Sequence, residues 1–157
     1  VGDSRTEVHN APRADFLLSC PPYGNLEVYS NDEADISNKD YKEFYKLYGE
    51  IIAGAVDRLL PNRFAAWVVA NYRDKKTGEM HDFVGDTVRA FRRAGMALYN
   101  EIVLVNAVGS AAMRANTSFL RGARKVCKSH QNVLVFVKGD PRAAVEELGG
   151  THTDEEG

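Results

Sequence analysis

An open α/β sheet is the architecture this sequence predicts, and three observations carry the prediction. Asp15-Phe16-Leu17-Leu18 and the stretch from Arg63 to Ala70 are short, continuously apolar runs with the look of buried parallel strands. Between them, Phe44, Leu47, Ile51, Ala55 and Leu59 recur at the spacing of one helix face. Such runs and periodic stretches alternate along the chain in the order β-turn-α-β-α-β, which is how one sheet acquires its covering helices.

Val1 is compatible with the last residue of a strand lying outside the chain. The Asp15 to Leu18 strand ends at Pro21-Pro22, because proline has no amide hydrogen to give to a ladder. A loop follows to about Lys39. Asp40 with Glu43 has the form of a capping box, so the first helix starts there, and Pro61 is expected to stop it. Phe64, Trp67, Val68 and Val69 then mark the next strand, and the polar stretch Asn71 to Glu79 reads as a loop. Phe83, Val84, Thr87, Val88 and Phe91 mark a second helix. Its cationic last turn, Arg92-Arg93, suits the helix dipole, and Gly95 closes it. Leu98 to Val105 and Val133 to Val137 are two further strands, separated by a long stretch that carries Arg114, Arg121, Arg124, Lys125 and Lys128 and no acid. A short helix around Ala143 to Leu148 leads into the acidic end Thr151 to Gly157, which is expected to fray.

The composition narrows the class without naming a partner. A chain of 157 residues can bury one continuous core. With 44% hydrophobic and 27% charged residues, neither disorder nor a fibrous repeat is favoured. A net charge of -2 means that any nucleic-acid contact has to come from a local basic patch, of which the five cations above are the candidate. The alternative for them is a solvated basic loop. Two cysteines, Cys20 and Cys127, are too few for a disulfide framework and have no metal-ligand spacing with the four histidines. That points to a reducing compartment, the cytoplasm, and to no metal centre. No apolar run approaches the roughly 20 residues that a membrane span needs, and the polar start is no signal peptide. A chain starting at Val1 fits a cut fragment or an alternative start codon equally.

The segment with chemistry is Ser19-Cys20-Pro21-Pro22-Tyr23, a rigid turn and an aromatic ring at the carboxyl end of a strand, where open α/β sheets place their ligands. An enzyme that methylates an exocyclic amine takes the base out of the stack, holds its ring on an aromatic face and accepts hydrogen bonds from the amine. In these residues the chain resembles the N6-adenine and N4-cytosine DNA methyltransferases, whose motif is Asp, Asn or Ser followed by Pro-Pro and an aromatic residue. Cys20-Pro21-Pro22-Tyr23 matches three of the four positions. Val1-Gly2-Asp3-Ser4 is similar to the family's loop before the catalytic strand, and His130 to Lys138 to its closing strand, so the likeness covers roughly residues 1 to 140.

The resemblance implies the catalytic half of a class I, Rossmann-like methyltransferase fold over residues 1–140, with about four strands and two main helices, and a short helix and flexible tail over 141–157. It implies S-adenosylmethionine as cofactor, DNA as partner, and methylation of the restriction-modification kind. Tyr23 would stack the extruded base while Pro21, Pro22 and Cys20 frame its amine. Asp3 would lie near the cofactor adenine and Ser19 beside it, although Asp3 reads equally well as a solvated loop residue. Two departures matter. A thiol at position 20 is a poor hydrogen-bond acceptor, and Ser19 replaces it poorly because successive strand side chains face opposite ways. A glycine-rich cofactor loop appears nowhere in the sequence, so the cofactor-binding strands are expected on an absent upstream segment or a partner chain. A half-sheet also leaves the Asp15 to Leu18 strand as an exposed edge, which predicts a partner or self-association. A covalent role for Cys20 in methylating carbon 5 of cytosine is disfavoured, because those sites have proline before the cysteine and no Pro-Pro-aromatic turn after it. A catalytically silent relative that survives as a binding module is the other reading of the whole chain.

Overall fold

A computed structural model describes residues 3–26, 30, 35–106 and 125–149. In chain order the elements are α1 (Ser4–Asn10), β1 (Ala14–Ser19), α2 (Tyr41–Arg58), β2 (Leu59–Val69), β3 (Tyr72–Arg73), β4 (Met80–His81), α3 (Phe83–Arg93), β5 (Met96–Val105), β6 (His130–Lys138) and α4 (Pro141–Leu148). Short 3-10 turns at Gly24–Leu26 and Ile36–Asn38 lie within the loop after β1. The main sheet has the order β1-β2-β6-β5, with β1 parallel to β2 and β6 antiparallel to both β2 and β5. The four-stranded α/β architecture expected from the sequence is therefore present, with a two-stranded ribbon of β3 and β4 added where a loop was expected.

An aspartate starts each α-helix among the described residues. Asp3, Asp40, Asp82 and Asp140 each accept a hydrogen bond from an amide of the first turn, satisfying a donor that the helix itself leaves without a partner. The α2 stripe follows expectation at Phe44 and Leu47, then continues through Tyr48, Ile52 and Val56, while Ile51 and Ala55 are only half-buried. These residues pack with Phe83 and Phe91 of α3 against Trp67 and Phe136 of the sheet, where the Phe91 and Phe136 rings lie 4.0 Å apart. Trp67 Nε1 donates to the Tyr48 hydroxyl at 2.9 Å, and that hydroxyl meets Thr87 Oγ1 at 3.0 Å, so the buried polar atoms are satisfied.

Three expectations are corrected. Pro61 does not end α2; Leu59 already begins β2, and Pro61 falls where the β1–β2 register shifts, an irregularity that tolerates a missing donor. Ser4, likened with Val1 to Asp3 to a loop, instead opens the helix α1, which is laid on α2 so closely that a Cβ on Gly54 would stand 2.7 Å from Val8 Cγ1. β1 is composed like a buried strand, yet it is the sheet's edge, with Phe16 53% and Leu18 69% exposed and only Leu17 packed on the core. The exposed edge itself is as expected. No helix among the described residues is long and apolar enough to cross a membrane.

Candidate functional site

Cys20-Pro21-Pro22-Tyr23 leaves the carboxyl end of β1 just after Ser19, which is paired with Trp67 of β2. Because β1 and β2 are parallel, the ribbon after β2 emerges at the same end of the sheet. The antiparallel β6 starts there too, since Asn132 pairs with Val69. Two prolines hold φ at about −65°. Gly24 then turns at φ +53° into the 3-10 turn, in which Leu26 N–H donates to the Tyr23 carbonyl at 3.1 Å. A side chain at Gly24 has no room: its Cβ would lie 2.2 Å from the Tyr72 hydroxyl oxygen.

Tyr23 is half-buried on an aromatic bed. Its ring lies nearly parallel to Tyr72, with centroids 6.2 Å apart and 10° between planes, and meets Phe83 edge-on at 5.7 Å. Gln131 Nε2 donates to the Tyr23 hydroxyl at 3.3 Å. Beside it, Tyr41 stacks flat on His81 with centroids 3.9 Å apart, and its hydroxyl donates a hydrogen bond to Asp86. Burial, and then neighbouring carboxylates, push the Tyr41 and Tyr72 hydroxyls above the ordinary tyrosine range, so the bed carries no phenolate at neutral pH.

Each expected site residue has a definite environment or falls outside the described residues. Cys20 is exposed, Pro21 and Pro22 are half-buried, and among the described residues no group donates to the Pro21 carbonyl. Ser19 falls on the same face of β1 as Leu17, toward the helices. Asp3 caps α1: one oxygen accepts the Arg5 amide at 2.9 Å, and the Arg5 guanidinium bonds to both oxygens, holding the carboxyl below its usual range. With Asp3 committed in this way, Asp3 and Ser19 do not by themselves fit a cofactor that carries an adenine, a ribose and an amino acid. Arg114, Arg121 and Arg124 lie outside the described residues. Lys125 and Lys128 line an open cleft of about 260 Å³ whose other wall is Asn71 to Arg73 and Met80. The motif does not mark Tyr72 or Gln131. The available signal is topological, since both lie at the end of the sheet from which the Pro-Pro turn leaves.

No protein-family model matches the sequence, and no curated protein matches it. The fold does match solved structures. A Thermus thermophilus protein assigned as a DNA modification methylase, solved with S-adenosyl-L-methionine, superposes with a TM-score of 0.61 at 18% identity, covering 89% of this chain and 52% of that one. The cytosine-N4-specific PvuII DNA methyltransferase gives a TM-score of 0.62 at 14% identity, covering 100% of this chain and 58% of that one. M1.HpyAVI in complex with SAM gives 0.55 at 13% identity over 88% and 52%. The chain spans about half the length of the solved structures it matches. At these identities the likeness is one of fold: a mixed α/β unit whose four-stranded sheet corresponds to part of DNA-methyltransferase structures.

Proposed function

We propose that this chain is the base-holding portion of an S-adenosylmethionine-dependent DNA methyltransferase acting on an exocyclic amine, N6 of adenine or N4 of cytosine. The observation that carries the reading is the Pro21-Pro22-Tyr23 turn. It stands at the carboxyl end of a strand, with its ring bedded on Tyr72 and no donor to its Pro21 carbonyl among the described residues, in a sheet that corresponds to part of DNA-methyltransferase structures. In this reading the target base leaves the duplex and lays its ring on Tyr23, at a stacking gain of about 1–3 kcal/mol. The Pro21 carbonyl accepts one amine hydrogen and orients the nitrogen lone pair toward the cofactor's methyl group; N–C bond formation would break the sulfonium C–S bond, leave a thioether and release the amine proton to water, without a covalent enzyme intermediate. Pro22 keeps the turn rigid, and Cys20 contributes only a weak acceptor. Arg114, Arg121, Arg124, Lys125 and Lys128 contact phosphates. The methyl donor is held by a complementary cofactor-binding segment, to which Asp3 and Ser19 are at most peripheral.

The test is transfer of a labelled methyl group to DNA by the protein that joins this chain to its cofactor-binding segment, followed by nucleoside analysis. Label in N6-methyladenine or N4-methylcytosine is expected. Label in 5-methylcytosine refutes the amine reading. A second reading, a catalytically silent binding module, draws on Cys20 standing where an acceptor is needed, and a complete absence of label favours it.

A further inference from the structure

We propose that the cleft between Asn71–Arg73 and Lys125–Lys128 is a phosphodiester site that grips the nucleic-acid backbone beside the base held at Tyr23. Only its placement relative to the base rests on the amine-methylation reading; the anion chemistry belongs to the cleft itself. Among the described residues its charged side chains are Arg73, Lys125 and Lys128, and no carboxylate lines it. The Asn71 side-chain oxygen accepts the Val84 amide at 2.8 Å, and its NH2 group adds a donor to the residues that line the cleft. Asp74, the acid adjacent in sequence, is occupied by the Lys76 and Thr77 amides at 2.7 Å each and by His81 at 3.6 Å. The charged and amide side chains of the lining are therefore donors.

Lys128 supplies the second observation. It is half-buried, and among the described residues no carboxylate lies within ion-pair distance of it. Burial pushes its ammonium below the ordinary lysine range. A half-buried ammonium with no carboxylate beside it among the described residues is a place where an incoming anion gains an ion pair. Two exposed apolar side chains, Met80 at 51% and Val126 at 83%, border the cleft and offer a sugar the surface that a free inorganic anion does not need. Tyr72 forms part of the wall, and its ring centroid is 6.2 Å from that of Tyr23, so a nucleotide seated on Tyr23 has its own backbone within reach. Donors spent on phosphate oxygens carry no base code, so this grip is indifferent to sequence.

The test is fluorescence anisotropy of the full chain with a short labelled single-stranded oligonucleotide over a salt series, which requires no cofactor. Wild-type protein should bind with log K falling linearly in log salt. Changing Lys125→Gln with Lys128→Gln should weaken binding and reduce the slope by about 1.4, at about 0.7 per phosphate contact on a single strand. Arg73→Gln should shift both in the same direction, and Lys42→Gln, on the exposed side of α2, should leave both unchanged. Far-ultraviolet circular dichroism checks that each variant is folded. An unbound oligonucleotide, or an unchanged slope in the folded double variant, overturns the proposal. So does displacement of the strand by inorganic phosphate at oligonucleotide concentrations, which would assign the cleft to a free anion. Methyl transfer can fail with this result intact, and the slope can stay unchanged in an active enzyme, so the two failures are distinct.

Discussion

Tyr23 owes its placement to residues outside the Pro-Pro-Tyr turn. Tyr72 lies under its ring, Phe83 meets its edge and Gln131 holds its hydroxyl, while Gly24 leaves the space that Tyr72 fills. Gly24→Ala should therefore cost about 1–3 kcal/mol in urea unfolding, from a positive φ and from displacing a buried ring. Gly78→Ala also sits at positive φ, +77°, but its Cβ would meet nothing within 4 Å, so only the backbone cost of about 1 kcal/mol should appear. Equal losses would mean that the Tyr72 approach is not what Gly24 protects. The turn was legible in the sequence because prolines fix the backbone locally. Tyr72 and Gln131 were not, because they reach Tyr23 only through strand pairing. Asp3 shows the opposite failure, since a residue read as a loop acid spends both carboxylate oxygens on Arg5 as a helix cap.

The elements are joined by one buried polar chain, running from the sheet at Trp67 through Tyr48 of α2 to Thr87 of α3 and the Phe83 carbonyl, where Thr87 Oγ1 donates at 2.8 Å. Tyr48→Phe leaves the buried Trp67 N–H without its acceptor, so stability should fall by about 1–3 kcal/mol, measured by denaturant unfolding. A loss under about 0.5 kcal/mol would show that the chain is not under load. Helices α2 and α3 were readable because caps and apolar periodicity agree. Helix α1 was not, because its seven residues include no buried one and so offer no stripe; Asp3 was the only local signal. The Pro61 stop failed for a physical reason: leaving a helix and entering an irregular strand both suit a residue without an N–H.

At the scale of the whole molecule, β1 leaves a hydrogen-bonding edge unpaired within the sheet. The second face of the sheet continues that apolar surface. Phe16 pairs with Phe64 and Leu18 with Ala66, while Val68 pairs with Val133 and Val133 with the exposed Ile102. Cross-strand partners share a face, so these residues form one surface. The chain alone should self-associate as its concentration rises, and Phe16→Lys with Leu18→Lys should return it to a monomer in light scattering. A wild-type chain that stays monomeric at high concentration would contradict this. The succession of strands and helices along the chain and the place of the turn were legible, whereas the sheet order and the cleft joining Arg73 to Lys128 were not, because they depend on the antiparallel return of β6. The central claim, that Tyr23 and the Pro21 carbonyl hold a base amine for methylation, is tested most directly by methyl-transfer rates of Cys20→Ser and Tyr23→Ala in the protein that joins this chain to its cofactor-binding segment. Cys20→Ser should retain or raise amine methylation, and Tyr23→Ala should lose roughly five- to a hundred-fold, the stacking contribution of about 1–3 kcal/mol. Abolition of transfer by Cys20→Ser, with Tyr23→Ala active, would contradict the account.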